Sequence, residues 1–103
     1  MLTANEQLVM LAIARGGRQA YALAIQEEME AAGHGLTLGV LYTVLSRLER
    51  RQLVRYRDGE GTPERGDRPK RFYELTGTGA KDLRGVLRIL DSLRGGAYAT
   101  QGA

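Results

Sequence analysis

The sequence of 103 residues has no cysteine and no tryptophan, and it contains only two prolines, one phenylalanine and one histidine. Without cysteine the chain cannot form a disulfide, bind a metal through thiolates or use a cysteine nucleophile. The one histidine, His34, lies in a glycine-rich turn with no second metal ligand beside it. No Ser-His-Asp set, no pair of acid and base carboxylates and no phosphate-binding glycine loop is evident. We therefore expect no catalytic residue, no metal site, no cofactor and no enzyme activity.

Long apolar segments are also missing. No uninterrupted apolar run approaches the roughly 18 residues of a membrane span. The N-terminus has no basic segment followed by an apolar one, as a secretion signal would have. We therefore expect a cytoplasmic protein without a membrane partner. A chain of 103 residues makes one small domain with a limited core, so a dimer that shares apolar surface would gain stability.

Positive charge is concentrated in the middle of the sequence. The net charge is +3, and residues 37–76 hold nine Arg and Lys against six Asp and Glu. Residues 1–36 instead hold two Arg against four Glu. A central basic segment agrees with binding to nucleic acid, although so small a difference does not decide the matter.

The stretch 37–54 predicts an amphipathic helix that is capped by Thr37 and runs to about Arg51. Its apolar face has helical spacing and consists of Leu38, Leu41, Val44, Leu45 and Leu48. The opposite face is small, hydroxylated or cationic, with Gly39, Thr43, Ser46, Arg47 and Arg50. Such a face can lie in a DNA major groove, where hydroxyl and guanidinium groups bond to base edges and phosphates. The alternative is a helix whose polar face is simply solvated.

Other segments predict the surrounding elements. A first helix over 4–15, capped by Thr3 or Asn5, would bury Leu8, Leu11 and Ala12, with Val9 and Ile13 extending the same face. A second helix over 19–32, ended by Gly33, would bury Ala22, Ile25 and Met29. Two strands and a loop that holds both prolines follow, at 52–57, 70–75 and 58–69.

A fourth helix is predicted over 76–94. Its apolar stripe consists of Leu83, Val86, Leu87, Leu90 and Leu93. The stripe could belong to the chain's own core, but a helix that follows the hairpin has little of its own domain left to cover. We therefore expect it to form a dimer, so Leu87→Glu or Leu90→Glu should give a monomer that no longer binds its operator.

Three helices followed by a basic two-stranded hairpin are typical of a winged helix. The expected fold is mainly α with a small β-hairpin, namely a winged helix-turn-helix plus a C-terminal dimerisation helix. Residues 1–76 would form the DNA-binding domain, residues 77–94 the dimerisation helix and residues 95–103 a flexible tail. The third helix would enter the major groove, and the hairpin, or wing, would reach the backbone or the minor groove.

Over roughly residues 5–94 the sequence resembles the PadR family of bacterial transcriptional regulators. The resemblance rests mainly on the stretches Tyr21-Ala22-Leu23-Ala24-Ile25, Leu38-Gly39-Val40-Leu41-Tyr42 and Arg71-Phe72-Tyr73-Glu74-Leu75-Thr76. It implies a homodimer on a roughly palindromic operator, with recognition helices about 34 Å apart. It also implies that the first helix helps the last one to form the dimer, and that a small ligand near the interface releases DNA.

The sequence departs from some members of this family. Short members that bind flat ligands stack them on an interface tryptophan, which this chain does not have. The identity, and even the existence, of a small aromatic or apolar ligand therefore stays open. Gly77 also stands where many relatives have an acidic residue or proline, which favours a looser start of the last helix.

The candidate DNA contacts are Tyr21, Thr37, Gly39, Tyr42, Thr43, Ser46, Arg47, Arg68, Lys70 and Arg71. Tyr21 and Tyr42 are included because they match the family motif, and each could instead only pack against neighbouring elements. Thr37 could serve only as a helix cap. Gly39 would let a DNA backbone approach closely. The wing cations suit phosphates or the minor groove, or they could lie in a solvated loop whose acidic residues dilute the charge.

The leading hypothesis is a dimeric, sequence-specific transcriptional regulator, a repressor released by a small ligand. One alternative is a winged-helix module that binds another protein and not DNA. A second alternative is a small-molecule sensor whose output is a partner protein. The sequence leaves open the operator, the target gene, and the division between base and phosphate contacts.

Overall fold

The computed structural model describes residues 1–59 and 70–95. In chain order its elements are α1 (Ala4–Gly16), a single 3₁₀ turn (Gly17–Gln19), α2 (Ala22–Ala31), α3 (Leu38–Arg50), β1 (Val54–Asp58), β2 (Arg71–Leu75) and α4 (Gly77–Arg94). The two strands form one antiparallel hairpin, which confirms the predicted mainly helical class. Most of the predicted loop and tail lies outside the described residues. Among the helices that are described, none has the length and apolarity needed to span a bilayer.

The core lies between the first three helices and the hairpin. The predicted face of α3 is confirmed for its central residues, because Leu41, Val44, Leu45 and Leu48 are all buried. Leu38 is an exception: it is 37% exposed and lies at the edge of the core. The predicted face of α2, with Ala22, Ile25 and Met29, is buried as expected.

The buried face of α1 differs in part from the predicted one. Ala12, Val9 and Ile13 are buried as expected, but Leu8 and Leu11 are 37% and 38% exposed, and Met10 is buried in their place. The prediction was wrong for the two leucines because residues 8–13 are all apolar, so that the pattern offers no unique face. Two leucines on the outside of α1 therefore remain available to another surface.

A buried carboxylate joins the beginning of α1 to the end of α3. Glu6 is only 1% exposed, and its two oxygens accept hydrogen bonds from the Thr3 backbone N–H (2.8 Å) and from Arg51 Nη1 (3.0 Å). Burial raises the pKa of Glu6, but the hydrogen bonds from Thr3 and the charge of Arg51 outweigh it and leave the pKa lowered. The Thr3 hydroxyl in turn accepts from the Glu6 N–H and completes a capping box.

The end of α3 explains why β1 begins later than predicted. The N–H groups of Gln52 and Leu53 donate to the carbonyls of Glu49 and Leu48, at 2.9 Å each. This is a Schellman motif, and Gln52 takes the left-handed position with φ of 60°. Residues 51–53 are therefore used to terminate the helix, and pairing starts with Val54 opposite Leu75.

Hydrogen bonds fix the hairpin to the helices. The Tyr73 N–H donates to the carbonyl of Ala20 at 2.8 Å. At the other end of β2, the Thr76 hydroxyl donates to the Gln52 carbonyl (2.7 Å) and accepts from the Gly79 N–H (3.0 Å), which caps α4. The hairpin and the start of α4 are thus held in fixed positions relative to α3.

Only the first half of α4 packs on the described part of its own chain. Leu83 is buried in the core, and Val86 and Leu87 are partly buried against it. Ile89, Leu90 and Leu93 are 53%, 48% and 73% exposed. Leu83, which we included in the expected dimer stripe, therefore has little surface left for a partner.

Candidate nucleic-acid interface

The outer face of α3 is exposed and polar over its whole length. Its exposed residues include Thr37, Gly39, Thr43, Ser46, Arg47 and Arg50. Within the described segments Arg47 and Arg50 take part in no ion pair, since the four pairs present involve other residues. Uncompensated guanidinium groups on one side of a helix can bind phosphate oxygens or the acceptor atoms of guanine.

Two hydroxyl groups of this face are engaged with the backbone. The Thr37 hydroxyl accepts from the Val40 N–H at 3.2 Å and caps α3, so the cap role considered for Thr37 is present. The Thr43 hydroxyl donates to the Gly39 carbonyl at 3.0 Å. The Thr43 side chain is exposed, and a hydroxyl that donates one bond can still accept another from a base amino group.

Gly39 lies in the first turn of this face, and its own chain gives no steric reason for a glycine there. A Cβ atom at Gly39 would meet no atom within 4 Å, and no left-handed φ is present. Glycine on an exposed helix position costs about 1 kcal/mol relative to alanine. A surface that approaches the helix closely would give such a glycine a function.

Tyr21 and Tyr42 lie around one cleft between α2, α3 and the hairpin. The cleft has a volume of about 600 Å³, and Leu23, Lys70 and Arg71 also line it. Tyr42 is 49% exposed, so about half of its side chain is accessible although it lies beside the hairpin. The cleft joins the polar face of α3 to the base of the wing.

The cations of β1 are already engaged. Arg55 Nε lies 2.7 Å from Glu74 Oε1, and this hydrogen bond and the charge of Arg55 lower the pKa of Glu74. Arg57 donates from Nη2 to the Arg18 carbonyl at 3.0 Å and lies over the ring of Phe72, 4.7 Å from its centre. These two side chains hold the hairpin against neighbouring groups.

The cations at the start of β2 rest on aromatic rings. Lys70 Nζ lies 4.3 Å from the centre of the Tyr21 ring, and the Arg71 guanidinium lies 4.3 Å from that of Tyr56. Neither residue belongs to an ion pair in the described ranges. A ring orients a cation without neutralising its charge, so both remain able to attract phosphate.

The predicted contacts thus fall into two adjoining groups. Thr37, Gly39, Thr43, Ser46 and Arg47 share the face of α3, and Tyr21, Tyr42, Lys70 and Arg71 surround the cleft. Arg68 lies outside the described residues. Sequence reasoning missed Val40, which is 43% exposed on α3 and was easily taken for core because it is apolar and adjacent to Leu41.

A helix-turn-helix with an exposed polar second helix, followed by a hairpin with accessible cations, defines a winged-helix protein of the DNA-binding class. The model of the PadR-like transcriptional regulator family matches residues 10–85. The chain belongs to this family, and it is a DNA-binding regulator by fold. No curated protein matches the chain.

Solved structures of related proteins share this fold. A PadR-like transcription factor from Bacteroides fragilis is similar over 86% of this chain and 82% of its own, with 29% identity and a TM-score of 0.73. A PadR family transcriptional regulator from Eggerthella lenta matches over 94% and 83%, with 26% identity and a TM-score of 0.71. RosR from H. salinarum matches over 92% and 79%, with 26% identity and a TM-score of 0.72.

Proposed function

We propose that this chain is a dimeric, sequence-specific repressor of transcription that binds a roughly palindromic operator and is released by a small ligand. Residues 1–76 would read DNA, and residues 77–94 would join two copies. The observation that carries the proposal is the continuous exposed surface formed by the polar face of α3 and the cations Lys70 and Arg71. A regulator of this kind acts where the genomic DNA lies, in the cytoplasm.

We expect base contacts and phosphate contacts to come from different parts of this surface. Thr43, Ser46 and Arg47 lie on the side of α3 that points away from the core, as a helix inserted in the major groove requires. Lys70 and Arg71 share a cleft with Tyr42 of α3, where they could bind a flanking phosphate. Base contacts would set the operator sequence, and phosphate contacts would supply most of the salt-dependent affinity.

Dimerisation is supported by the distal half of α4. Ile89, Leu90 and Leu93 are exposed at helical spacing, and fully burying one leucine contributes about 1.5–3 kcal/mol. A second copy of the same helix offers a matching surface under twofold symmetry. Two recognition helices would then face two half-sites of one operator.

Two parts of the proposal rest on the family relationship: repression, as opposed to activation, and release by a ligand. Neither rests on a cavity in a single chain. An apolar pocket between two copies would suit a small aromatic or apolar molecule. A reporter gene placed behind the operator distinguishes repression from activation. Candidate ligands are then those that restore its expression and raise the thermal midpoint of the protein.

The first experiment is selection of a duplex from random DNA, followed by affinity measurements at two salt concentrations. We expect tight binding that weakens with salt and with Arg47→Ala. Arg15→Ala is the matched control, because Arg15 is an exposed arginine on α1 that pairs with Glu28. A well-folded dimer that selects no duplex would contradict the proposal and favour the protein-binding module.

A further inference from the structure

The start of β2 is attached to α2 through a chain of aromatic and cationic side chains. Arg57 lies over the Phe72 ring, the rings of Phe72 and Tyr21 meet edge to face with centres 5.7 Å apart, and Lys70 Nζ lies 4.3 Å from the centre of the Tyr21 ring. Tyr21 directly precedes α2, and its side chain does not cap that helix. Its ring therefore contacts two residues of the hairpin segment.

From this arrangement we infer that Tyr21 is a positioning residue for Lys70, which is the wing cation that contacts a DNA phosphate beside α3. The inference rests on the proposed function and names the role of two side chains within it. Tyr21 acts through its ring and not through a hydroxyl contact with DNA. The backbone bond from Tyr73 to Ala20, at 2.8 Å, fixes the distance between the ring and the strand that carries Lys70.

The charges around Lys70 favour this role over a purely structural one. Arg55 is neutralised by Glu74, and Arg57 is used by a carbonyl and by Phe72. Lys70 is exposed and has a contact that orients its ammonium group without opposing its charge. A lysine side chain otherwise loses conformational entropy when it binds a phosphate, and a ring that restricts it beforehand reduces that loss.

Tyr42 and Arg71 make the position suitable for a phosphate. Both line the same cleft as Tyr21 and Lys70, so an anion there would meet two cations and a phenolic hydroxyl group. Asp58 also lines this cleft. It stands directly opposite Arg71 in the hairpin, so its negative charge offsets that of Arg71 first, and Lys70 is the main cation that a phosphate would meet.

The test is a double-mutant cycle on the full chain with the selected duplex, using Lys70→Ala, Tyr21→Leu and the double variant. Lys70→Ala should weaken binding roughly tenfold and reduce the slope of log affinity against log salt by about 1.8, the value for two phosphate contacts, one from each protomer of the dimer. Tyr21→Leu should weaken binding roughly two- to fivefold. In the Lys70→Ala background, Tyr21→Leu should cause no further loss of affinity, because the cation that Tyr21 positions is absent.

Two further variants separate this role from a structural one. Tyr21→Phe keeps the ring and should recover most of the affinity that Tyr21→Leu loses. Arg55→Ala removes a paired hairpin cation and should leave the salt slope unchanged. The thermal midpoint of each variant is measured in parallel, so that a loss of affinity caused by damage to the fold is recognised by a lowered midpoint.

Three results would overturn the inference while leaving the proposed function intact. They are a Tyr21→Phe variant as weak as Tyr21→Leu, independent effects of the Tyr21 and Lys70 substitutions, and an unchanged salt slope for Lys70→Ala. A wild-type chain that binds no duplex would overturn the proposed function and the inference with it.

Discussion

Gly79 packs directly against the backbone carbonyl of Leu53, so closely that a Cβ atom at this position would overlap the carbonyl oxygen. The contact lies where α4 leaves the hairpin, next to the hydrogen bond from the Thr76 N–H to the same carbonyl (3.0 Å). Only a glycine allows the first turn of α4 to approach the end of α3 in this way. The direction of α4 therefore depends on this residue.

Gly79→Ala should destabilise the protein by roughly 3 kcal/mol, because backbone atoms must move to admit the methyl group. Urea denaturation measures the change. Gly77→Ala is the control, since a Cβ there meets no atom within 4 Å. Equal stabilities for the two variants would contradict the close contact.

The ion pair of Glu6 with Arg51 predicts a loss of stability in acid. The folded state lowers the pKa of Glu6, so the ionised carboxylate stabilises the fold above its unfolded pKa, and this contribution disappears as pH falls through the folded value. Glu6→Gln should cost about 1–3 kcal/mol at neutral pH and reduce the slope of stability against pH in acid. Glu28→Gln, which removes an exposed pair with Arg15, should cost at most about 1 kcal/mol. Identical pH profiles for wild type and Glu6→Gln would refute this role.

Gln52 occupies a position that favours glycine. Its φ of 60° lies in the left-handed region, and its side chain is exposed. Gln52→Gly should raise stability by about 0.5–1 kcal/mol, because glycine adopts this conformation without strain. Glycine also gives the unfolded chain more conformational entropy, which offsets part of this gain. The thermal midpoint would rise by a few degrees. Gln52→Ala, which keeps the Cβ, should bring no such gain, and a lower midpoint for Gln52→Gly would contradict the argument.

Gly39→Ala should separate stability from DNA binding. The added methyl group meets open space in the free protein, so helix propensity should raise stability by about 0.5–1 kcal/mol. If the DNA backbone approaches this turn as proposed, the same methyl group weakens binding. Gly77→Ala adds a methyl group away from α3 and should leave affinity unchanged. A more stable Gly39→Ala variant with undiminished affinity would remove Gly39 from the interface.

Leu90→Glu and Leu93→Glu should produce monomers, as judged by light scattering, and should abolish tight binding to a palindromic duplex. Both side chains are exposed in the single chain, so the substitutions leave its core intact. Leu87→Glu is a poorer test because Leu87 is partly buried. Lys81→Glu alters charge at an exposed position near the start of α4 and should leave the dimer intact. A Leu90→Glu variant that remains dimeric would show that other surfaces join the copies.

The fold could be predicted where one pattern dominated. Charged and small residues interrupt the leucines of α3 at helical spacing, so its buried face was recognised apart from Leu38 at its edge. In α1 six successive apolar residues made several faces equivalent, and a buried glutamate helped to decide between them. A carboxylate in that position would ordinarily be assigned to solvent, so its partner Arg51, 45 residues away, could not be anticipated.

The sequence suggests which residues form the candidate site, but it does not give the contacts among them. The polar face of α3 followed from helical geometry alone. Which wing cations are neutralised depends on the register of the hairpin, in which Arg55 faces Glu74 and Arg57 faces Phe72. A long intervening loop does not determine that register from sequence. The contact of Lys70 with Tyr21 also requires the position of α2, which only the folded structure supplies.

The exposed second half of α4 would make DNA binding depend on the amount of protein in the cell. Under the proposed pairing, the concentration of dimers able to occupy an operator grows with the square of protomer concentration while dimers are scarce. A small change in synthesis would then produce a disproportionate change in occupancy. The contacts of these leucines of α4 would determine the strength of the dimer, and with it the cellular concentration at which the regulated gene switches.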